Sequence, residues 1–114
     1  MNKNFDLEER TAKFREEIVR FEKDAPKNEV ARPIITQLVK CGASIGANYC
    51  EAGDAGSGRD FKHKTGICKK ESRETEHFLR MAAVAVPVMK KQGRGLWQKA
   101  KEFNLILSSI YKQL

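Results

Sequence analysis

Apolar residues recur at alternating steps of four and three along almost the whole chain, the rhythm of amphipathic helices packed against neighbours. Leu7, Thr11, Phe14, Ile18, Phe21 and Ala25 make the first seam, and Ile34, Leu38, Cys41, Ile45, Asn48 and Ala52 the second. The third runs over Phe61, Thr65, Cys68, Ser72, Thr75, Leu79, Ala82, Val86 and Met89, and the fourth over Leu96, Ala100, Phe103, Leu107, Ile110 and Leu114. No stretch alternates apolar and polar residues as a half-buried strand does. The seams are separated by Asp24-Ala25-Pro26-Lys27-Asn28, by the glycine-rich residues 53–58, and by Gln92-Gly93-Arg94-Gly95. These breaks predict helices over about 6–25, 29–52, 58–91 and 95–113 within a single domain spanning 1–114. Four seams with short connections predict an all-α, antiparallel up-and-down four-helix bundle.

Local signals place the ends. Asp6 with Glu9 reads as a variant capping box for the first helix, Asn28 as the cap of the second with Pro33 in its first turn, and Ser57 as the cap of the third. A third helix from Gly58 to Lys90 is roughly 50 Å long, against roughly 30 Å for the first, at about 1.5 Å per residue. Such an overhang needs a partner or a break, and a kink near Pro87 is expected, with helix resuming for a turn.

Two further patterns go beyond a plain bundle. Beside the core seam of the second helix lies another stripe, Ile35, Val39, Gly42, Gly46 and Tyr49, and the third helix adds Phe78, Met81, Ala85 and Val88. These are expected to be oligomer contacts, with the two glycines marking close approach of another backbone. The inward arc of the third helix is also polar in its middle. Asn48, Glu51, Lys64 and Glu71 are expected to form a partly buried polar layer that fixes register, because buried ions must be paired.

At 114 residues the chain has room for one core. Its net charge of +7 is unevenly spread: residues 1–57 carry nine Lys/Arg against ten Asp/Glu, and residues 58–114 carry thirteen against five. Arg59, Lys62, Lys69, Arg73 and Arg80 fall within about 80° on the third helix at roughly 100° per residue, nearly opposite its core arc. Lys90, Lys91 and Arg94 extend the positive end. Such a face can follow a phosphate backbone without reading bases.

Other chemistry is sparse. Glu74-x-x-His77 and Asp60-x-x-His63 mimic the carboxylate–histidine step of di-iron bundles, but they stand about 21 Å apart on one helix, so no metal centre or cofactor is expected. No Walker loop, nucleophile elbow or Ser-His-Asp set is present, so no catalytic residues and no small-molecule substrate are expected. The three cysteines show no paired spacing, and Cys41 and Cys68 read as core residues. The longest apolar run, residues 81–89, is too short to span a bilayer, which makes a cytoplasmic location the expectation.

The strings Ser44-Ile45-Gly46-Ala47-Asn48-Tyr49, Glu51-Ala52, Asp60-Phe61-Lys62, Lys70-Glu71-Ser72 and Glu74-Thr75 resemble the signature of a small bundle family encoded in intervening sequences of bacterial large-subunit ribosomal RNA genes. The likeness runs from Phe5 through the fourth helix. It implies a four-helix bundle assembled as a homo-oligomer, a pentamer in that family. Departures are Cys50 in the variable slot, Gly66 mid-helix and Pro87. Together with the basic stripe, the resemblance leads to the expectation of a non-enzymatic oligomeric scaffold for nucleic acid, RNA before DNA. In fold and charge it is similar to the accessory bundle proteins that partner reverse transcriptases in diversity-generating retroelements. An acidic protein partner is the alternative.

Overall fold

The structure, a computed structural model, describes residues 3–114, with side chains from Leu7 onward. Four helices, α1 (Lys3–Asp24), α2 (Ala31–Gly53), α3 (Gly58–Ala85) and α4 (Lys90–Lys112), surround one core, and the described residues contain no strand. Each helix packs on two others: α2 on α1 and α3, and α4 on α3 and α1. The result is an elongated bundle, 44 × 25 × 20 Å along its principal axes.

The four seams supply that core. Every member of the first seam is buried, as are Thr65 through Met89 of the third and Leu96 through Leu107 of the fourth. Phe14 of α1 meets Phe103 of α4 edge to face, with centroids 5.3 Å apart. Polar members of the seams are tolerated because they satisfy themselves. The hydroxyl of Thr11 donates to the Leu7 carbonyl (2.7 Å), Thr65 to Phe61 (2.8 Å), Ser72 to Lys69 (2.8 Å) and Thr75 to Glu71 (2.7 Å). A hydroxyl bonded one turn back leaves no buried donor unmet and presents a methyl or a small surface to the neighbouring helix. Cys41 and Cys68 are buried with them, and burial pushes the Cys68 thiol up to about 12.

Helix starts follow the expected chemistry where side chains are described. Asn28 Oδ1 accepts from the N–H groups of Val30 (3.1 Å) and Ala31 (2.8 Å), and its carbonyl accepts from Arg32 N–H (2.9 Å). Ser57 Oγ accepts from Asp60 N–H at 3.2 Å. α1, however, is already helical at Lys3, so Asp6 lies inside it, and the expected capping contact of its side chain falls outside the described residues.

The third connection differs from expectation. α3 stops at Ala85, Val86 is extended (φ −134°, ψ 75°), and Pro87–Met89 form one 3₁₀ turn leading directly into α4. Pro87 disfavours helical geometry at the residue before it, so α3 ends there rather than kinking and continuing to 91. Gln92-Gly93-Arg94-Gly95, expected as the turn, is helical, and no glycine has positive φ. The longer α4 covers the far end of α3, which removes the overhang.

α1 approaches α2 closely. A Cβ built on Gly42 falls 3.2 Å from Ile18 Cγ1, and one on Gly46 falls 3.1 Å from Thr11 Oγ1. The close neighbour foreseen for these glycines is therefore α1 of the same chain.

Two stability outcomes follow from this packing. Gly42→Val should lower the urea midpoint by the equivalent of about 1–3 kcal/mol, because the overpacked side chain meets Ile18. Gly95→Ala, with open space around its Cβ, should instead stabilise by about 0.5–1 kcal/mol through helix propensity. A loss of stability in Gly95→Ala would contradict a helical 92–95.

Candidate functional site

Where α3 lies against α4, their outer faces form a groove. One residue round from each core seam the same three-four rhythm continues: Gly66, Lys69, Arg73, Glu76, Arg80 and Ala83 on α3, and Arg94, Trp97, Lys101, Asn104, Ser108 and Tyr111 on α4. These two stripes are the walls. The wider part holds about 670 Å³ and reaches Lys90 and Gly93. A narrower part of about 280 Å³ reaches Gly66, Lys70 and Tyr111, and Arg73 and Asn104 line both, so the two are continuous. Asn104 Nδ2 donates to the Lys69 carbonyl (3.0 Å) and to Ser72 Oγ (3.3 Å), tying the walls together at mid-length.

The groove gathers most of the basic residues singled out in the sequence. Lys69, Arg73, Arg80, Lys90 and Arg94 line it, and Lys62 stands at its end, its Nζ 5.2 Å from the Tyr111 ring centroid. Arg59 and Lys91 are exposed but line neither part. Lys70 and Lys101 join the set from the structure alone, the latter with Nζ 5.3 Å from the Trp97 centroid. Among the described residues none of these cations is in an ion pair, whereas Arg10, Lys13, Arg20, Lys64 and Lys99 each are. Glu76 is the one acid on the walls. Burial raises its carboxyl above the usual range, opposed by the charges of Arg73 and Lys101.

The aromatic members escaped sequence reasoning, which read α4 only along its core seam. Their signal was present: residues 94, 97, 101, 104, 108 and 111 keep helical spacing. Gly66 also gains a reason. A Cβ there falls 3.2 Å from Tyr111 Cε2, so the bare backbone seats the ring, with Lys69 Nζ 5.0 Å from its centroid.

The expected polar layer is divided. Lys64 Nζ donates to Glu51 Oε1 at 2.9 Å, but both side chains are partly exposed. Asn48 turns instead to its own helix, its Nδ2 donating to the carbonyl and hydroxyl oxygens of Ser44. Glu71 joins neither, and among the described residues its carboxylate has no hydrogen-bond or ion-pair partner. The four do not form one network: the Lys64–Glu51 pair forms, while Asn48 bonds Ser44 and Glu71 stays outside. Burial, then the charge of Glu74, raises the Glu71 carboxyl, with Lys70 opposing.

Of the expected oligomer contacts, Ile35 and Gly42 are buried within the chain, and Gly46 lies against Thr11. Val39, Tyr49, Phe78 and Ala85 pack partly on the core, and Met81 is half-buried. The two glycines of the second stripe of α2 thus face α1 of the same chain. His63 and His77 are exposed, His77 on the groove wall, and no set of three metal-ligating side chains converges among the described residues. No described helix is long and apolar enough to cross a membrane.

The family model described as 23S rRNA-intervening sequence protein matches residues 3–109. Among solved structures, a Bacteroides thetaiotaomicron protein of unknown function from the S23 ribosomal protein family superposes with a TM-score of 0.82 at 31% identity, covering 92% of this chain and 97% of that one. No curated protein matches the chain.

The raised Glu71 carboxyl carries a pH signature. A raised folded-state value contributes stability fully present below the ordinary carboxylate range, about pH 4, and lost as pH rises through the raised value. At pH 7 the ionised carboxylate is a net cost. Glu71→Gln should therefore raise Tm at about pH 7, with the difference closing at about pH 4 and below. Parallel thermal melts check this, and an equal Tm difference at both pH values would refute it.

Proposed function

Because the chain belongs to the 23S rRNA-intervening sequence protein family, we propose that it is a cytoplasmic, non-enzymatic protein of antiparallel, up-and-down helix order. It assembles as a homo-oligomer, a pentamer by family resemblance, and binds nucleic acid, with RNA favoured, through the α3–α4 face. The observation that carries the reading is the selective pairing of charge. α1 and α4 exchange two ion pairs outside the groove lining, Lys99 bonding Glu17 of α1 at 2.7 Å and Arg10 of α1 lying 3.6 Å from Glu102 of α4. The groove cations are left with one acid among them. An unpaired row of this kind, spaced along two helices, suits successive phosphates.

Support for assembly comes from the opposite surface. Val30, Val84 and Val88 are exposed, and Val30 and Val84 line a shallow hollow of about 900 Å³ with Ile34, Met81 and Ala85. Met81 and Ala85 are members of the expected interface. Repetition of the groove in a ring raises avidity without any new contact.

Binding of a short structured RNA, followed by anisotropy across a salt series, tests the reading. The logarithm of the affinity should fall linearly with log salt, and Arg80→Glu, which takes one cation out of the row, should make that slope shallower by about 1. Light scattering of the same samples reports the assembly. An oligomer indifferent to RNA at low salt would sink the nucleic-acid reading and favour the alternatives, a scaffold for an acidic protein partner or an accessory protein of a reverse transcriptase.

A further inference from the structure

We infer that the α3–α4 groove takes an unpaired nucleic-acid strand whose bases stack on Trp97 and Tyr111, in preference to a duplex. The inference rests on the nucleic-acid reading above and narrows it. Charge alone does not distinguish strand from duplex, but the placement of the aromatics does.

Trp97 is half-buried, packed against the core, and still lines the widest part of the groove between Arg94 and Lys101. Tyr111 closes the far end, its ring edge seated on Gly66 and the ammonium groups of Lys62 and Lys69 over the ring, from which a stacking base displaces them towards its own phosphates. Both rings occur on the stripe that carries the cations of α4. A strand that follows those cations therefore brings its bases to the rings, while its phosphates meet Arg73 and Arg80 on the facing wall. Alternation of cations with aromatic platforms along one channel is the recognition chemistry of single strands, where each base offers a π-face.

Size points the same way. Adjacent packed helices have axes about 8–10 Å apart, so the furrow between α3 and α4 is narrow. In a duplex the bases are stacked on each other and only backbone and groove edges face outward, so Trp97 on the furrow wall has nothing to stack against. Trp97 and Tyr111 are fourteen residues apart on α4, about 21 Å by helical rise. That distance spans about six nucleotides at a stacked rise of about 3.4 Å.

Trp97 is the single tryptophan of the chain, so its emission reports on this site directly. The wild-type protein is titrated at low salt with an oligoadenylate strand of about twelve nucleotides, within the usual site sizes of strand-binding grooves, and separately with a blunt-ended RNA duplex of equal charge. The strand should bind more tightly and quench Trp97, whereas the duplex should leave its emission unchanged. Trp97→Leu should weaken strand binding about tenfold or more while leaving duplex affinity nearly unaltered, and Trp97→Phe should retain most of it. Tyr111→Leu, at the rim of the core, should weaken the strand severalfold and serves if Trp97→Leu does not fold. Arg80→Glu should weaken both ligands. Equal binding of strand and duplex with unquenched emission overturns the stacking inference and leaves the nucleic-acid reading standing. Failure of both ligands to bind overturns the two together.

Discussion

Pro87 cannot donate the backbone hydrogen bond that a continuing helix needs at its position, and it pushes Val86 out of helical geometry. Much of the arrangement depends on that. Val86, extended at φ −134° and ψ 75°, ends α3, and one 3₁₀ turn over Pro87–Met89 leads straight into α4. α4 then begins at Lys90, ahead of the glycines that had been expected to form the turn, and its first residues lie against the last turns of α3. Lys90, Arg94 and Trp97 are thereby set across from Arg80 and Arg73. A kinked, continuous helix would have carried Lys90, Lys91 and Arg94 off the end of the bundle, and there would be a basic tip instead of a groove.

The interior makes that close pairing possible. The inward face of α3 is built mainly of Thr65, Cys68, Ser72, Thr75 and Ala82, with Leu79 the only large aliphatic before Val86. Small side chains let α2 and α4 approach, and hydroxyls bonded within their own helix make no demand on those neighbours. Asn104 exploits the closeness, reaching from α4 to the Lys69 carbonyl and the Ser72 hydroxyl. On the other side Gly42 and Gly46 admit Ile18 and Thr11 of α1. The bundle is held by small residues at its contacts as much as by the large ones at its centre.

The helical seams were legible because burial of one face requires only the three-four spacing, and Leu7, Phe14, Leu79 and Phe103 stand where that spacing puts them. The glycines misled. Gly93 and Gly95 resemble a turn by composition, yet Gly93 lies buried with Phe21 Cε2 3.6 Å from where its Cβ would be, and burial of Gly93 and Leu96 on that face of α4 outweighs the propensity cost of the two glycines. The stripe Ile35–Gly42–Gly46 looked like a surface for another subunit because one sequence pattern cannot say whether the covering helix belongs to the same chain. The polar layer is met in part. Helical angle puts Lys64 and Glu71 on one arc of α3 and hairpin register sets Asn48 opposite Lys64; the Lys64–Glu51 pair forms, but Asn48 bonds Ser44 on its own helix and Glu71 joins neither. The α3 half of the groove was legible as a basic stripe. The α4 half was not, because Trp97 and Tyr111 are apolar enough to be passed over as edges of the core.

Charge and ring chemistry converge on one furrow for a simple geometric reason. Residues one step round from a core seam sit at the boundary between buried and exposed, where a long side chain lays its stem on the core and its head in water. On α3 this boundary carries Lys69, Arg73 and Arg80; on α4 it carries Arg94, Trp97, Lys101 and Tyr111. Facing boundaries of two adjacent helices necessarily share one groove, so cations and aromatics placed there act on the same ligand. Glu76, held between Arg73 and Lys101 on the same boundary, is the only counterweight. Burial disfavours ionisation of its carboxyl, and one acid among Lys69, Arg73, Arg80, Arg94 and Lys101 leaves the furrow with an excess of cations beside the tryptophan.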